Sequence, residues 1–191
     1  MNKRTIIVSF GAAAIAVLLT FSLSFAGDRD NREKIDKHLE KGNDYAAEGD
    51  LDKAMTEFKK VLDMDPANPL AHNNMGIIYK RKGLYVTAID EFKLALEGMP
   101  NYYKTYNNLG NVYYEREYYD EAEKFYLKCL KVKPDFAECY WNLALCYVAD
   151  GETEKAIRHF KKFKDFSNDP AYIGLAQQHI DELENAPADM D

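Results

Sequence analysis

The chain has 191 residues, of which 47% are hydrophobic and 30% charged, with a net charge of −7; this is enough for one ordinary domain or one short repeat array. The acidic balance repels nucleic-acid phosphates and anionic lipid headgroups, so neither is expected as a general partner. Fourteen Tyr and ten Phe against ten Gly and six Pro favour long helices over a turn-rich β fold.

At the N-terminus, Lys3 and Arg4 make a short cationic start, and the 23 residues from Thr5 to Gly27 carry no charge. Ser24, Phe25 and Ala26 put small residues three before and one before a cut. Residues 1–26 therefore read as a secretory signal cleaved after Ala26 or as an uncleaved membrane anchor, since about 20 apolar residues cross a bilayer. Either reading leaves Lys3 and Arg4 inside and predicts an extracytoplasmic chain, in the periplasm, soluble or tethered to the inner membrane. Residues 27–34 are charged and are expected to form a loose linker.

From residue 35 onward the chain repeats itself every 34 residues without insertion or deletion. The first copy, 35–68, carries Gly42, Tyr45, Ala54, Phe58 and Pro66, and predicts helices over 36–48 and 52–63. The second, 69–102, carries Gly76, Tyr79, Ala88, Phe92 and Pro100, with helices over 70–82 and 86–98. The third, 103–136, carries Gly110, Tyr113, Ala122, Tyr126 and Pro134, with helices over 104–117 and 120–131. The fourth, 137–170, carries Ala144, Tyr147, Ala156 and Phe160, with helices over 138–149 and 154–165; Asn168 stands where Pro is expected. Each column has a packing reason. A small residue allows two helices to approach, and an aromatic fills the space beside it. Gly49, Gly83 and Gly151 end first helices, with Glu117 in their place in the third copy. Pro stops each second helix because it lacks an amide hydrogen. Asn68 before Pro69, and Asp169 before Pro170, pair a capping residue with Pro at the first helical position. A last helix over 170–185 carries Ile173, Ala176, Ile180 and Leu183 on one side, as an end cap needs. Residues 186–191 read as a disordered tail.

This pattern resembles the tetratricopeptide repeat family, in which the period is 34 and small, aromatic and Pro positions recur like these. The resemblance covers residues 35–170. It implies an all-α fold: a right-handed α-solenoid of four helix-turn-helix units plus the C-terminal capping helix. It also implies a protein or peptide partner, bound in a concave groove lined by first helices. In bacterial members with such an N-terminus the context is often envelope assembly, pilus biogenesis or secretion. The departures are His38 and His72 at the first-helix Trp/Leu position, the missing Gly in copy three, and Asn168.

Carried over from the family, the fourth, seventh, eighth and eleventh residues of a copy face the core. The second, fifth, sixth, ninth, twelfth and thirteenth then face the groove, which helical periodicity allows. That lining holds Asp36, Leu39, Glu40 and Asn43; Asn73, Asn74, Ile77, Lys80 and Arg81; Lys104, Asn107, Asn108, Asn111 and Tyr114; and Glu138, Trp141, Asn142 and Leu145. Asn is a poor helix former, yet seven occupy this surface, and each amide offers donors and an acceptor to a peptide backbone. For Asn74, Asn108 and Asn142 the competing reading is a bond to a neighbouring helix. Lys80, Arg81 and Lys104 make a cationic spot suited to a carboxylate, or a merely solvated face. Trp141, the only Trp, is either a ligand anchor or an edge packed on the third copy. Some family members clamp a terminal carboxylate with two Lys, two Asn and an Arg. Asn43, Asn74 and Lys104 match three of these, but Leu39 and Asn108 replace the other two, so that clamp is incomplete and its function is not expected.

No catalytic constellation, metal motif or cofactor loop is found: HExxH, GxSxG, CxxC and phosphate-binding Gly loops are all missing from the sequence. The chain is therefore expected to be no enzyme and to need no cofactor. His38 and His72 sit at equivalent positions, which packing explains better than metal binding. Among Cys129, Cys139 and Cys146, a bridge between Cys129 and Cys146 is conceivable in an oxidising compartment, with buried free thiols as the favoured expectation. Tyr102, Tyr103, Tyr118 and Tyr119 offer a surface for a homo-oligomer, the structural alternative to partner recognition.

Overall fold

The structure is a computed structural model and describes residues 29–185. Among these residues there are nine α-helices and no strand, so the fold is an all-α helical repeat. The expected leader, residues 1–26, and the tail, 186–191, lie outside the described residues. No helix among the described residues is long and apolar enough to cross a membrane. The chain divides into two compact units, up to Pro66 and from Ala67 onward.

The first unit contains α1 (29–48) and α2 (Leu51–Met64). α1 starts earlier than the sequence suggests: 29–34, read as a linker, are helical, and Lys34 pairs with Asp30 one turn back at 2.6 Å. Charged residues do not break a helix when opposite charges fall four apart. Asp50 caps α2 by accepting the Lys53 amide at 3.1 Å. His38 Nδ1 lies 2.5 Å from Glu57 Oε2, while Lys60 Nζ donates to Glu57 Oε1 at 2.6 Å. The Lys60 and His38 bonds hold the Glu57 carboxyl below its usual range.

The second unit contains α3 (Pro69–Arg81), α4 (Tyr85–Gly98), α5 (Tyr103–Glu115), α6 (Tyr119–Val132), α7 (Ala137–Ala149), α8 (Thr153–Phe166) and α9 (Pro170–Glu184). The helix pairs are α3 with α4, α5 with α6 and α7 with α8. Each pair leans on the next through α4–α5, α6–α7 and α8–α9, and α3–α5 and α5–α7 also touch. Asn68 and Asp169 cap α3 and α9, each accepting an amide (Ala71 and Ala171) at 3.0 Å, with Pro at the first helical position. The His–Glu pair of the first unit recurs 34 residues on, with His72 Nδ1 2.7 Å from Glu91 Oε2.

Two features recur at the 34-residue step. First, the turn after each leading helix needs one residue in the left-handed region: Gly49, Gly83 and Gly151 at φ +86°, +74° and +73°, and Glu117 at +61°. A Cβ there costs roughly 1–2 kcal/mol, which Gly avoids and Glu117 bears. Second, the small residue in the leading helix lies against the aromatic of the following one. A Cβ at Gly42 would sit 2.5 Å from Phe58 Cε1, and one at Gly76 would sit 2.6 Å from Phe92 Cε1. Gly110 faces Tyr126 in the same way. In the last pair Ala144 and Phe160 share one buried cluster.

That contact yields a measurable consequence. Gly76→Val drives two methyl groups into the buried Phe92 ring, and overpacking of this kind costs about 1–3 kcal/mol. The urea midpoint should fall accordingly, with helical circular dichroism retained at low denaturant. An unchanged midpoint would show that the helix spacing is not set here.

Candidate functional site

Position numbers below count from the first residue of each 34-residue copy. In the second unit the positions buried in every leading helix are the third, seventh, eighth and tenth; the fourth and eleventh, expected in the core, are buried only at His72 and Tyr147. Ala71, Thr105 and Cys139 at position three are fully buried; Tyr106 and Tyr140 at position four are only partly so. Both tyrosines reach outward to donate to a backbone carbonyl, of Pro100 and Pro134, at 2.9 Å. Position three is buried because it meets position five of the previous copy. Thr105 Oγ1 donates to Asn73 Oδ1 at 2.9 Å, and Cys139 Sγ sits 3.2 Å from Asn107 Oδ1, the same step one copy on.

Position six joins the same contact. Asn108 Nδ2 donates to Asn73 Oδ1 at 3.2 Å, and Asn142 Nδ2 donates to Asn107 Oδ1 at 2.9 Å, both across a separation of 35. Asn142 Nδ2 also donates to Asn111 Oδ1 at 3.1 Å, and Asn111 Oδ1 accepts the Tyr126 hydroxyl at 2.8 Å. For Asn108 and Asn142 the bond to a neighbouring helix is what forms. Asn73 is a buried linker, only 4% exposed, and not a groove-facing group. Leu39, also placed in the lining, is likewise buried. Position five faces the next repeat in both places. Asn74 is half-buried, and its Oδ1 accepts Asn73 Nδ2 at 3.3 Å. Asn43 and Lys104 are exposed.

The cationic spot is partly cancelled. Lys80 Nζ is held by Glu115 Oε1 at 2.5 Å, bridging α3 to α5, so its charge is shared inside the array. Arg81 is exposed at the end of α3. Lys80, Glu115, Asn111, Tyr114 and Leu145 surround a hollow of about 280 Å³. Burial pushes the Tyr114 and Tyr126 hydroxyls up, so both remain neutral hydrogen-bond donors.

A larger cleft, of about 990 Å³, opens where α5, α7, the end of α8 and the start of α9 meet. Its lining combines the amides of Asn107, Asn111 and Asn142 with the rings of Trp141, Phe163, Phe166 and Tyr172. Trp141 is half-buried, and it packs on α8 of its own copy and on the capping helix α9 rather than on the third copy. Its ring lies edge-on to Phe160 at 5.3 Å, Phe163 at 5.1 Å and Tyr172 at 6.0 Å between centroids. Phe163, Phe166 and Tyr172 fall outside the lining that the sequence predicts. The available signal is an aromatic, Tyr172, near the start of the last helix, where the other copies place Ala71, Thr105 and Cys139.

The cysteines pair otherwise than the sequence suggests. Cys129 is bonded to Cys139, with Cα atoms 6.7 Å apart, and Cys146 is the free, buried thiol. The short turn from α6 to α7 brings the end of one helix beside the start of the next. Cys146 lies two turns further along α7, and burial pushes its thiol up to about 12. In the disulfide Cys139 Sγ has no hydrogen, so its approach to Asn107 is a contact and not a hydrogen bond. The tyrosine surface is also smaller than expected. Tyr103 packs on Phe136 at 4.7 Å and Tyr119 on Tyr114 at 5.5 Å, leaving Tyr118 as the exposed member, beneath Arg116. Among the described residues no group of three His, Cys, Asp or Glu could hold a metal ion.

The chain matches a family described as TPR repeat over residues 42–83 and one described as tetratricopeptide repeat over 68–135 and 103–163. It is 41% identical over 39 residues to the photosystem I assembly protein Ycf3 of Prochlorococcus marinus, a stretch of 20% of this chain and 22% of that protein. The match thus spans about a fifth of that relative. Among solved structures, PilF of Pseudomonas aeruginosa superposes with a TM-score of 0.70 at 21% identity, over 82% of this chain and 78% of that one. MamA follows with 0.61 at 27%, over 69% and 77%. The first TPR of Spaghetti (RPAP3), bound to the HSP90 peptide SRMEEVD, gives 0.58 at 28%, over 62% and 94%.

The amide contacts separate structural from exposed polar residues. Asn73→Ala removes the acceptor for both Thr105 and Asn108, and an orphaned buried donor costs about 1–3 kcal/mol. Lys104→Ala, on the exposed face, should stay within about 0.5 kcal/mol of the parent. Chemical denaturation of the two variants checks the contrast; equal effects would mean the amide bridges carry no weight.

Proposed function

The chain belongs to the tetratricopeptide repeat family, whose members act as protein-interaction scaffolds, and from that premise we propose that it is a non-catalytic adaptor binding an extended segment of a partner protein along α5 and α7. One observation carries this reading: the cleft of about 990 Å³ that joins a row of amides to an aromatic wall. The amides of Asn107 and Asn111 keep hydrogen-bonding capacity beyond their bridges, which suits a peptide backbone of any sequence. The aromatic wall suits an anchoring side chain. Binding of a peptide by the RPAP3 domain, a structural neighbour, is consistent with the same mode. The incomplete carboxylate clamp argues against a terminal carboxylate as the anchor, and Lys80, already paired with Glu115, weakens it further.

The location proposed is outside the cytoplasm, soluble or tethered through residues 1–26. The support is the cationic start, the uncharged run and the small-residue motif of the leader, together with the Cys129–Cys139 disulfide, a bond that persists in oxidising compartments. Service to an envelope, secretion or pilus system is a proposal on the same footing; the likeness to PilF is one of fold. Self-association draws less support, because Tyr103 and Tyr119 are engaged within the chain.

Two measurements test these readings. Tyr172→Ala combined with Glu138→Ala alters exposed cleft residues, so the melting temperature should hold while capture of the native partner falls by about tenfold or more. Undiminished capture by the double variant would remove the cleft from the function. Alkylation of the unfolded, unreduced protein from its native cell fraction should label Cys146 alone. Labelling of all three cysteines would withdraw the disulfide's support for an oxidising location.

A further inference from the structure

We infer that the cleft between α7 and α9 takes a basic side chain, with arginine favoured, from the partner segment; this rests on the adaptor reading and specifies the chemistry it recognises. The cleft has two carboxylates on its rim, Glu138 in the first turn of α7 and Asp169 capping α9, and no Lys or Arg among its lining residues. Two helix N-termini also open into it, and each contributes about +0.5 charge. Two full negative charges exceed two half positive ones, so the rim is net negative by about one charge. Asp169 is partly spent, since its Oδ1 accepts the Ala171 amide at 3.0 Å. Glu138 is exposed and has no partner among the described residues, so it is the carboxylate available to a ligand.

Behind the rim stands a corner of two rings. Trp141 and Tyr172 meet at 88° with centroids 6.0 Å apart, and both line the cleft. A cation within about 6 Å of an aromatic face is attracted by the ring quadrupole, and Tyr172, 54% exposed, is the more open of the two rings. Arginine fits better than lysine because its planar guanidinium stacks on an indole while its edge pairs with a carboxylate. An acidic segment would meet the opposite: Glu138 unshielded at the entrance and no cation inside. The net charge of −7 adds steering in the same sense.

The test uses the full chain and three capped pentapeptides, Gly-Leu-X-Leu-Gly, with X as arginine, its neutral isostere citrulline, or glutamate. Trp141 is the only Trp, so its emission reports occupancy directly. The arginine peptide should shift that emission and bind at least about tenfold more tightly than the glutamate peptide, with citrulline between. Glu138→Gln should bring arginine and citrulline together, and added salt should narrow the gap between arginine and glutamate. Equal binding of all three, tighter glutamate binding, an unaltered arginine preference in Glu138→Gln, or no emission change with any peptide would overturn the inference. If a neutral or acidic peptide binds and Tyr172→Ala abolishes it, the adaptor reading survives and only the basic specificity is lost.

Discussion

The structure depends on a glycine meeting an aromatic ring sixteen residues later. Where Gly76 stands, the Phe92 ring occupies the place a side chain would take, and Gly42 with Phe58 and Gly110 with Tyr126 repeat the arrangement. This contact fixes how closely the two helices of a pair approach. A buried ring is a large apolar surface, worth about 1.5–3 kcal/mol each in transfer terms, and it is reached when the opposing helix carries Gly, or at most the single methyl of Ala144 against Phe160. Once the spacing is set, the turn must close in three residues, which is why a left-handed residue recurs at Gly83, Glu117 and Gly151.

A second layer of order is polar and runs between copies. Asn73 accepts from the third and sixth residues of the following copy, Thr105 and Asn108, and Asn107 accepts from the sixth, Asn142. Each bridge is worth little as a gain, about 0.5–1.5 kcal/mol, but its loss leaves buried groups unsatisfied, which costs more. The bridges act as a register lock: a helix that slid by one residue would bury amides without partners. Among the described residues no buried side-chain nitrogen or oxygen lacks a hydrogen bond. The apolar contacts hold adjacent helices together, and the amides decide where along one another they stop.

This division explains what could be read from the sequence. Gly, Ala, aromatic and Pro columns each have a single packing meaning, so the helices fall within one or two residues of their expected ends; only α1, which begins at 29, runs further back. Asn has two meanings, and periodicity cannot choose between them. Whether Asn142 faces a peptide or Asn107 depends on the rotation of one helix against the next, and a few tens of degrees move position five from groove to interface. The same rotation moves burial from position four to position three. Cys139 sits at position three, so that rotation also brings it to Cys129 in place of Cys146. Lys80 is legible as a cation, but Glu115, 35 residues away, is not legible as its partner.

The cleft arises where the period fails. α7 begins at Ala137, and one further period would start α9 at residue 171, yet it starts at Pro170, with Asn168 in place of the usual Pro. One residue turns a helix by about 100° and shifts it by about 1.5 Å. At the same junction the lock changes character. Position five is now Trp141, and the residue that meets it from the next helix is Tyr172, so the Thr105–Asn73 contact is replaced by two rings at 6.0 Å. Thr105 and Asn73 are small enough to be sealed inside. Two large rings at right angles are not, and Tyr172 remains 54% exposed. The junction therefore stays open, with Glu138 at its mouth. Earlier junctions close over the same register with small side chains; at the last one bulky aromatics hold the helices apart, and the space that results is the cleft proposed above for partner binding.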